Sequence, residues 1–334
     1  MIDNKIIQIG FLIFPGFPMA CLTSMIEPLR AANEISGRTM FEWTLVSEQG
    51  DRVQASANVW FDPDRALSDC AHLDQIFLLS GPSSKFENAV SSNGILRKLA
   101  RFGVVMGAVS GGVFPLARAG LLEGHTSSVH WCYEAAFAAE FPNLAATQDV
   151  IVKDRRCLTA SGAAAAFDLS LLLIEEQLDA SIATEVACWF QHPLVRGQGV
   201  TQRKPAVDTA STDDMLPDLV RQAVTIFTDH IEETINIADV AAEIGISVRQ
   251  LERMFQKATG NSPHGYYKLV RMKKARQLLL YSKNTMTEIA FAVGYTSPST
   301  LNKSYFEVFG VSPKDDRAKV NMFRVRENAI VPSA

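Results

Sequence analysis

The rhythm of apolar positions changes along this chain. In the first half, unbroken apolar runs alternate with stretches whose apolar residues recur every three or four positions. Ile6-Ile-Gln-Ile-Gly-Phe-Leu-Ile-Phe14 is the first such run, and it has the pattern of a strand buried on both faces of a parallel sheet. Residues 41–46, 75–79 and 104–109 read as further strands, with helical periodicity at 19–34, 84–101, 113–119, 131–140 and 163–178. Strands alternating with helices predict an open, mostly parallel α/β sheet covered on both faces. In the last third only the helical period remains, which predicts an all-α domain.

That last third repeats itself. Ala238-Asp-Val-Ala-Ala-Glu-Ile-Gly245-Ile-Ser247-Val-Arg249-Gln-Leu251-Glu-Arg253-Met-Phe255 ends on Gly260-Asn-Ser-Pro263. About fifty positions on, Met286-Thr-Glu-Ile-Ala-Phe-Ala-Val-Gly294-Tyr-Thr-Ser297-Pro-Ser299-Thr-Leu301-Asn-Lys303-Ser-Tyr305 ends on Gly310-Val-Ser-Pro313. Each copy is a short helix, a glycine turn and a second helix with one apolar face. That is the pattern of a helix-turn-helix, whose second helix enters the DNA major groove. In the first copy Val240, Ala241 and Ile244 share a face, Gly245 can take φ > 0, and Ser247 is an N-cap residue. Val248, Leu251, Phe255 and Ala258 form the expected buried stripe of the second helix, and Arg249, Gln250, Arg253 and Lys257 fall outside it. Arg and Gln suit base edges, and Lys suits phosphate. One copy is a weak signal, since a helix-glycine-helix also occurs in ordinary bundles; two matched copies are not. Between them, residues 266–281 predict a long joining helix with Leu269, Met272, Ala275 and Leu279 inward.

Charge follows the same division. From Gly245 to Lys283 nine basic residues face one acid, Glu252, a net +8 in a chain whose net charge is −4. Lys273 and Lys274 belong to this patch and are expected at phosphates. Residues 1–212 carry −6 and residues 213–334 carry +2. The sequence therefore predicts a domain at 1–197, a Gly-, Pro-, Ser- and Thr-rich linker at 198–215, and a DNA-binding domain at 216–334. The 102–117 run is too short and too glycine-broken to span a membrane. No signal-peptide pattern opens the chain, and five cysteines without C-x-x-C spacing fit reduced thiols in a cytoplasm. The six histidines lack ligand spacing, so no metal or other cofactor is expected.

One turn in the first half suggests chemistry: Gly107-Ala-Val-Ser110-Gly-Gly-Val-Phe-Pro-Leu-Ala117. A strand runs into a small residue beside glycines and then into a helix, as in a nucleophile elbow. His125 and His130 follow it.

Residues 217–318 resemble the AraC/XylS-type DNA-binding domain, in which the second helix of each unit reads adjacent major grooves. The resemblance implies base or backbone contacts from Arg249, Gln250 and Arg253, then from Ser299, Thr300 and Lys303. The Lys-Asp-Asp-Arg after the second G-x-S-P departs from that family's ending, and Pro298 and the low charge of the second reading helix imply a smaller share of specificity. Residues 5–190 resemble the ThiJ/PfpI branch of the amidotransferase-like, flavodoxin-like fold. The matches are Pro15-Gly-Phe17, Glu27-Pro-Leu-Arg-Ala-Ala-Asn33, the elbow, Ser-Val-His-Trp131, Phe141-Pro142 and Cys157-Leu-Thr-Ala-Ser-Gly162. Enzymes of that branch carry a cysteine at the elbow, and here Ser110 stands there, with His130 and Glu27 at the two partner positions.

A serine titrates far above a thiol, so Glu27 alone would not activate it. The expected role is a ligand pocket rather than an active site. A hydrolase or amidase tethered to DNA, with His130 as base, is the alternative, and an inert dimerisation domain a third. Together the halves resemble GlxA-type regulators, AraC-family proteins with an amidotransferase-like sensor. That implies a cytoplasmic activator of genes for small nitrogen compounds such as arginine, carnitine or betaines, working as a homodimer with RNA polymerase as a further partner. The N–H groups of Gly111 and Gly112 would hold a carboxylate. Glu27, with Phe17 or Trp131, would hold a cation. A small zwitterion is thus the expected effector.

Overall fold

The computed structural model describes residues 5–192, 195–206 and 212–322, with side chains to 318. They form two compact units that divide in sequence between Gln202 and Arg203. The division point lies within the 198–215 stretch. Residues 207–211 of that stretch, and 323–334 of the second predicted domain, lie outside the described residues. Residues just before the division are tied to the first unit. Val150 N donates to Val200 O and Gln202 N to Gln148 O, each at 2.8 Å. The buried Gln202 side chain accepts from Trp131 N at 2.9 Å and donates to Val129 O at 2.8 Å.

In the first unit β1 (Ile7–Ile13) leads to α1 (Met19–Ser36) and β2 (Phe41–Ser47). Three short strands follow: β3 (Val53–Gln54), β4 (Trp60–Phe61) and β5 (Arg65–Ala66). Next come β6 (Gln75–Ser80), α2 (Ala89–Arg101), β7 (Val105–Ser110) and α3 (Val113–Arg118). The rest is β8 (Thr126–Ser128), α4 (Glu134–Glu140), β9 (Ala145–Thr147), β10 (Ile151–Asp154), β11 (Cys157–Ala160), α5 (Ala163–Gln177) and α6 (Ala180–Trp189). The main sheet has seven strands in the order β10-β11-β7-β6-β1-β2-β5. All its pairings are parallel except that of the edge strand β10 with β11. The apolar runs account for this: every residue of β6 is buried, because helices cover both faces. Phe11, Phe77 and Leu79 pack against Met25 and Leu29 of α1 and Leu169 and Leu173 of α5. The strand order reverses at β1, which pairs with β2 on one side and β6 on the other. In open α/β sheets the loops part at such a point and leave a crevice beyond the carboxyl ends.

Two helices start later than their periodicity predicts. The 131–140 pattern gives one only from Glu134, after a turn at 131–133. The 84–101 pattern gives a helix only from Ala89. Glu48 is the reason: its carboxylate accepts the N–H of Glu87 at 2.7 Å and of Asn88 at 2.9 Å, and the Ser92 hydroxyl at 2.6 Å. A carboxylate gripping those amides fixes the helix start and leaves residues 81–88 as a shaped loop.

The second unit is helical: α7 (Asp218–Asp229), α8 (Ile237–Glu243), α9 (Val248–Thr259), α10 (Pro263–Tyr281), α11 (Met286–Ala292), α12 (Pro298–Phe309) and α13 (Pro313–Met322). Phe227 links its core, with its ring 4.8 Å from Tyr267 and 5.8 Å from Phe255. Each such ring contributes about 1.5–3 kcal/mol through burial. The joining helix begins three residues before the expected Tyr266, because Ser262 caps it through Gly265 N and Pro263 takes the first turn. Val248, expected in the buried stripe, is 38% exposed, since as the first residue of α9 it lies at the open end of that stripe. Leu269 is only half-buried.

Candidate nucleic-acid interface and ligand site

Each reading helix is built by the same devices. Ser247 caps α9 by accepting from Gln250 N, and Ser297 caps α12 by accepting from Thr300 N. The turns before them are made by Gly245 at φ 75° and Gly294 at φ 70°. Leu251 and Phe255, like Leu301 and Tyr305, are at most 1% exposed. Arg249, Gln250, Arg253 and Lys257 are exposed on α9, and Ser299, Thr300 and Lys303 on α12.

Two of these predicted readers are first of all capping residues. Gln250 Oε1 accepts from Ser247 N and from its hydroxyl, both at 2.9 Å. That leaves the amide donor, and not the bidentate amide, for a base. Thr300 turns its hydroxyl to Ser297 O at 2.9 Å. Gln256, exposed one turn beyond Arg253 and not named in the sequence pattern, donates its amide to Gly260 O at 3.0 Å, and its repeat counterpart Phe306 is 58% exposed. Helical spacing from Arg249 and Arg253 was the signal that would have found Gln256.

The net +8 of the patch overstates the charge open to DNA. Lys268 pairs with Glu307 at 2.6 Å. Arg276 pairs with Asp316 at 2.8 Å, its guanidinium 4.7 Å from the Phe309 ring. Arg271 donates to Val293 O at 2.7 Å and to Gly294 O, and lies 4.4 Å from the Tyr295 ring. Lys273 and Lys274 are half-buried on α10.

In the first unit Ser110 ends β7 with φ 56°, the left-handed backbone of an elbow. The glycines after it serve close approach: a Cβ at Gly111 would lie 2.4 Å from Ser80 O, and one at Gly112 1.9 Å from Leu78 O. The anion cradle expected there is not formed as such, because Gly112 N already donates to Val109 O at 3.0 Å. Ser110 is 2% exposed. Phe17 is a core residue with no exposed surface, edge-on to Phe61 at 5.2 Å, so it offers no ring face to a ligand. Glu27 is half-exposed on α1, and its carboxylate accepts two bonds from Arg30 at 3.1 and 3.0 Å. Arg30 also pairs with Glu34 at 2.8 Å, so Glu27 shares that one cation. Trp131 is half-buried, with its ring 5.5 Å from that of His130.

His130 is held by its neighbours. Its Nδ1 accepts the Cys132 N–H at 3.3 Å and lies 2.8 Å from Cys132 Sγ. Burial lowers its pKa to about 4, so at neutral pH it is an uncharged, weak base, poorly matched to a serine hydroxyl. Burial pushes the thiols of Cys21 and Cys157 up to about 12 and that of Cys70 up to about 11, so none of these is a ready thiolate. Among the described residues no group of three or more His, Cys, Asp or Glu is placed to hold a metal ion, and no helix is long and apolar enough to cross a membrane.

A cleft of about 410 Å³ lies at the carboxyl edge of the sheet. The end of β1, the segment after β2 and the 81–88 loop line it. Of its lining residues only Leu12 to Phe14, in the first strand run, and Pro15, in the Pro15-Gly-Phe17 match, were named from the sequence, because three segments at least thirty positions apart build it.

The chain matches the DJ-1/PfpI family over residues 9–176 and a Helix-turn-helix domain over 240–319. It is 34% identical over 93% of its length, and 84% of the relative's, to the HTH-type transcriptional regulator GbdR of Pseudomonas aeruginosa. It is 29% identical over 93% of its length, and 96% of the relative's, to the HTH-type transcriptional regulator GlxA of Rhizobium meliloti. A crystal structure of an AraC family transcriptional regulator from Pseudomonas putida covers 55% of this chain and 99% of its own, with a TM-score of 0.51 and 23% identity; it supports the fold.

Proposed function

The chain belongs to the HTH-type transcriptional regulators that join a DJ-1/PfpI domain to an AraC-type helix-turn-helix domain, and from that footing we propose that it binds its promoter as a homodimer and activates transcription when the first unit holds a small zwitterion such as an amino acid or a betaine. The observation that carries the DNA-reading part is the pair of serine-capped helices that bury Leu251 and Phe255, or Leu301 and Tyr305, and leave their outer faces exposed. Arg253 and Arg249 are the proposed base readers, Gln250 a single-donor contact, and Lys257, Lys273, Lys274, Ser299, Thr300 and Lys303 the proposed backbone contacts. The first unit acts as a sensor and not as an enzyme on this reading. The burial of Ser110 and the uncharged, burial-weakened His130 support that.

Selection of binding sites by the intact protein from random duplexes tests the reading. Tandem heads should enrich two short elements about one helical turn apart, roughly 10 base pairs. Equal recovery of all sequences would leave only phosphate binding. A promoter fusion assayed with and without effector decides activation: expression that falls when the regulator and effector are both present overturns it. Mass measurement in solution decides the dimer. Cell fractionation checks the cytoplasmic site, and co-retention of RNA polymerase on the promoter checks that contact.

A further inference from the structure

We infer that the effector binds not at the elbow but in the neighbouring cleft at the carboxyl edge of the sheet, and that this cleft selects a compact molecule carrying both an ammonium group and a carboxylate. The inference rests on the sensor reading above and adds the site and its chemistry.

Position comes first. The cleft lies where β2 and β6 flank β1, the reversal point at which loops diverge. Its volume of about 410 Å³ is that of a small-molecule pocket, room for roughly a dozen waters at ~30 Å³ each. It is too small for a macromolecular segment of any length.

The lining is built, not incidental. Phe14 and Phe86 face the cleft as a tilted pair 4.9 Å apart, and are 3% and 8% exposed. Ser84 lines it at 4% exposure, and its hydroxyl has no hydrogen-bond partner among the described residues. An unmatched buried hydroxyl costs about 1–3 kcal/mol, and a ligand polar group at that point would remove this penalty. Ser84 is also rigidly placed. Arg118 of α3 donates to Ser84 O at 2.5 Å and to Pro82 O at 3.0 Å, while its other contacts reach Glu140 at 2.7 and 2.9 Å. The opposite wall is pinned by Glu48, whose carboxylate is consumed by the start of α2. Glu48 is thus a wall and not a binding charge.

The rim carries both signs. Asp51 and Glu87 are acidic, and Arg52 and Lys85 are basic; all four are exposed at the cleft. An ammonium fits the aromatic pair with carboxylates nearby. A carboxylate fits the Ser84 hydroxyl and the Lys85 ammonium. A purely anionic ligand meets Asp51 and a purely cationic one meets Lys85; Arg52 is paired with Asp62 at 2.7 Å, and Glu87 accepts from Gln49 at 2.8 Å. A zwitterion satisfies both.

Calorimetric titration of the intact protein with glycine betaine, L-carnitine and L-arginine tests this, on wild type and on Ser84→Phe, Lys85→Glu and Ser110→Ala. Ser84→Phe fills the cleft. Lys85→Glu reverses an exposed rim charge and leaves the core alone, so it decides the matter if Ser84→Phe loses its fold, as judged by DNA binding. At least one compound should bind wild type, bind Lys85→Glu about ten-fold more weakly, and fail to bind Ser84→Phe. Undiminished binding to both cleft variants, or loss in Ser110→Ala alone, puts the effector elsewhere and overturns the cleft while the sensor reading stands. Binding of none of the three to wild type overturns the zwitterion reading, and the cleft assignment with it.

Discussion

The two reading heads share a frame and differ in what they present. α9 and α12 are each 12 residues long, capped by a serine and closed by a left-handed glycine, Gly260 at φ 72° and Gly310 at φ 64°. The outer face of α9 presents Arg249, Arg253, Gln256 and Lys257, that of α12 Ser299, Lys303, Phe306 and Glu307. Glu307 is moreover tied to Lys268. The turns differ too. Gly245 has open space where a Cβ would go, whereas one at Gly294 would lie 2.7 Å from Glu232 O. Arg271 braces that second turn from α10. The first head is a charged reader on a free turn, the second a nearly uncharged surface bolted to the joining helix. Frame and reading chemistry occupy different positions of the same helix, so one can be repeated while the other changes.

The largest expected effect tests the brace. Arg271→Ala removes two bonds from a charged donor and a cation–ring contact, about 3 kcal/mol in all. Urea unfolding of the intact protein should show the second unit's transition shifted by that amount, with Arg271→Lys recovering part of it. An unmoved transition means the second turn holds itself.

Next is the reader. Arg253→Ala should weaken cognate binding by about 1–3 kcal/mol and relax the preference at one base position. Competition among single-base variants of the selected site reads this directly; an equal loss on random DNA reduces Arg253 to a phosphate contact.

The caps come third. Ser247→Ala and Ser297→Ala should each destabilise the unit by about 1 kcal/mol. The two losses should be similar, because each substitution removes one hydroxyl that accepts the N–H three residues on and meets the side chain there, while the Ser247 N–H bond to Gln250 and the Thr300 bond to Ser297 O both survive. Thermal unfolding that shows no loss for one of them would mean that its hydroxyl does not cap the helix.

The smallest effect belongs to Lys303. Its removal should flatten the logarithmic salt dependence of binding by about 0.9, alike on cognate and random DNA. A selective loss on the cognate site would make the second head a base reader and erase the contrast.

Much of this was legible from spacing. Buried stripes, turn glycines and caps are local, so Leu251, Phe255, Gly245 and Ser247 carried their roles in the chain itself, and the strand runs carried the parallel sheet. The use of each polar side chain was not local. Whether Arg271 or Arg276 faces solvent or a neighbour depends on Val293 and Asp316, at least twenty positions away. The positive segment therefore looked more open in sequence than it is. Phe17 and Glu27 sit in motifs that suggested a pocket, yet core packing took one and Arg30 the other.

By itself the sequence determined two units, their fold classes, the tandem heads and the serine at the elbow, because periodicity, turn chemistry and motif identity act over a few residues. Only the tertiary structure decided which charges are spent internally, that Gly112 N is already bonded, and that a cleft forms around Ser84. Those outcomes depend on segments distant in sequence meeting at the edge of a sheet or across a helix pair, where burial and hydrogen-bond satisfaction are settled jointly.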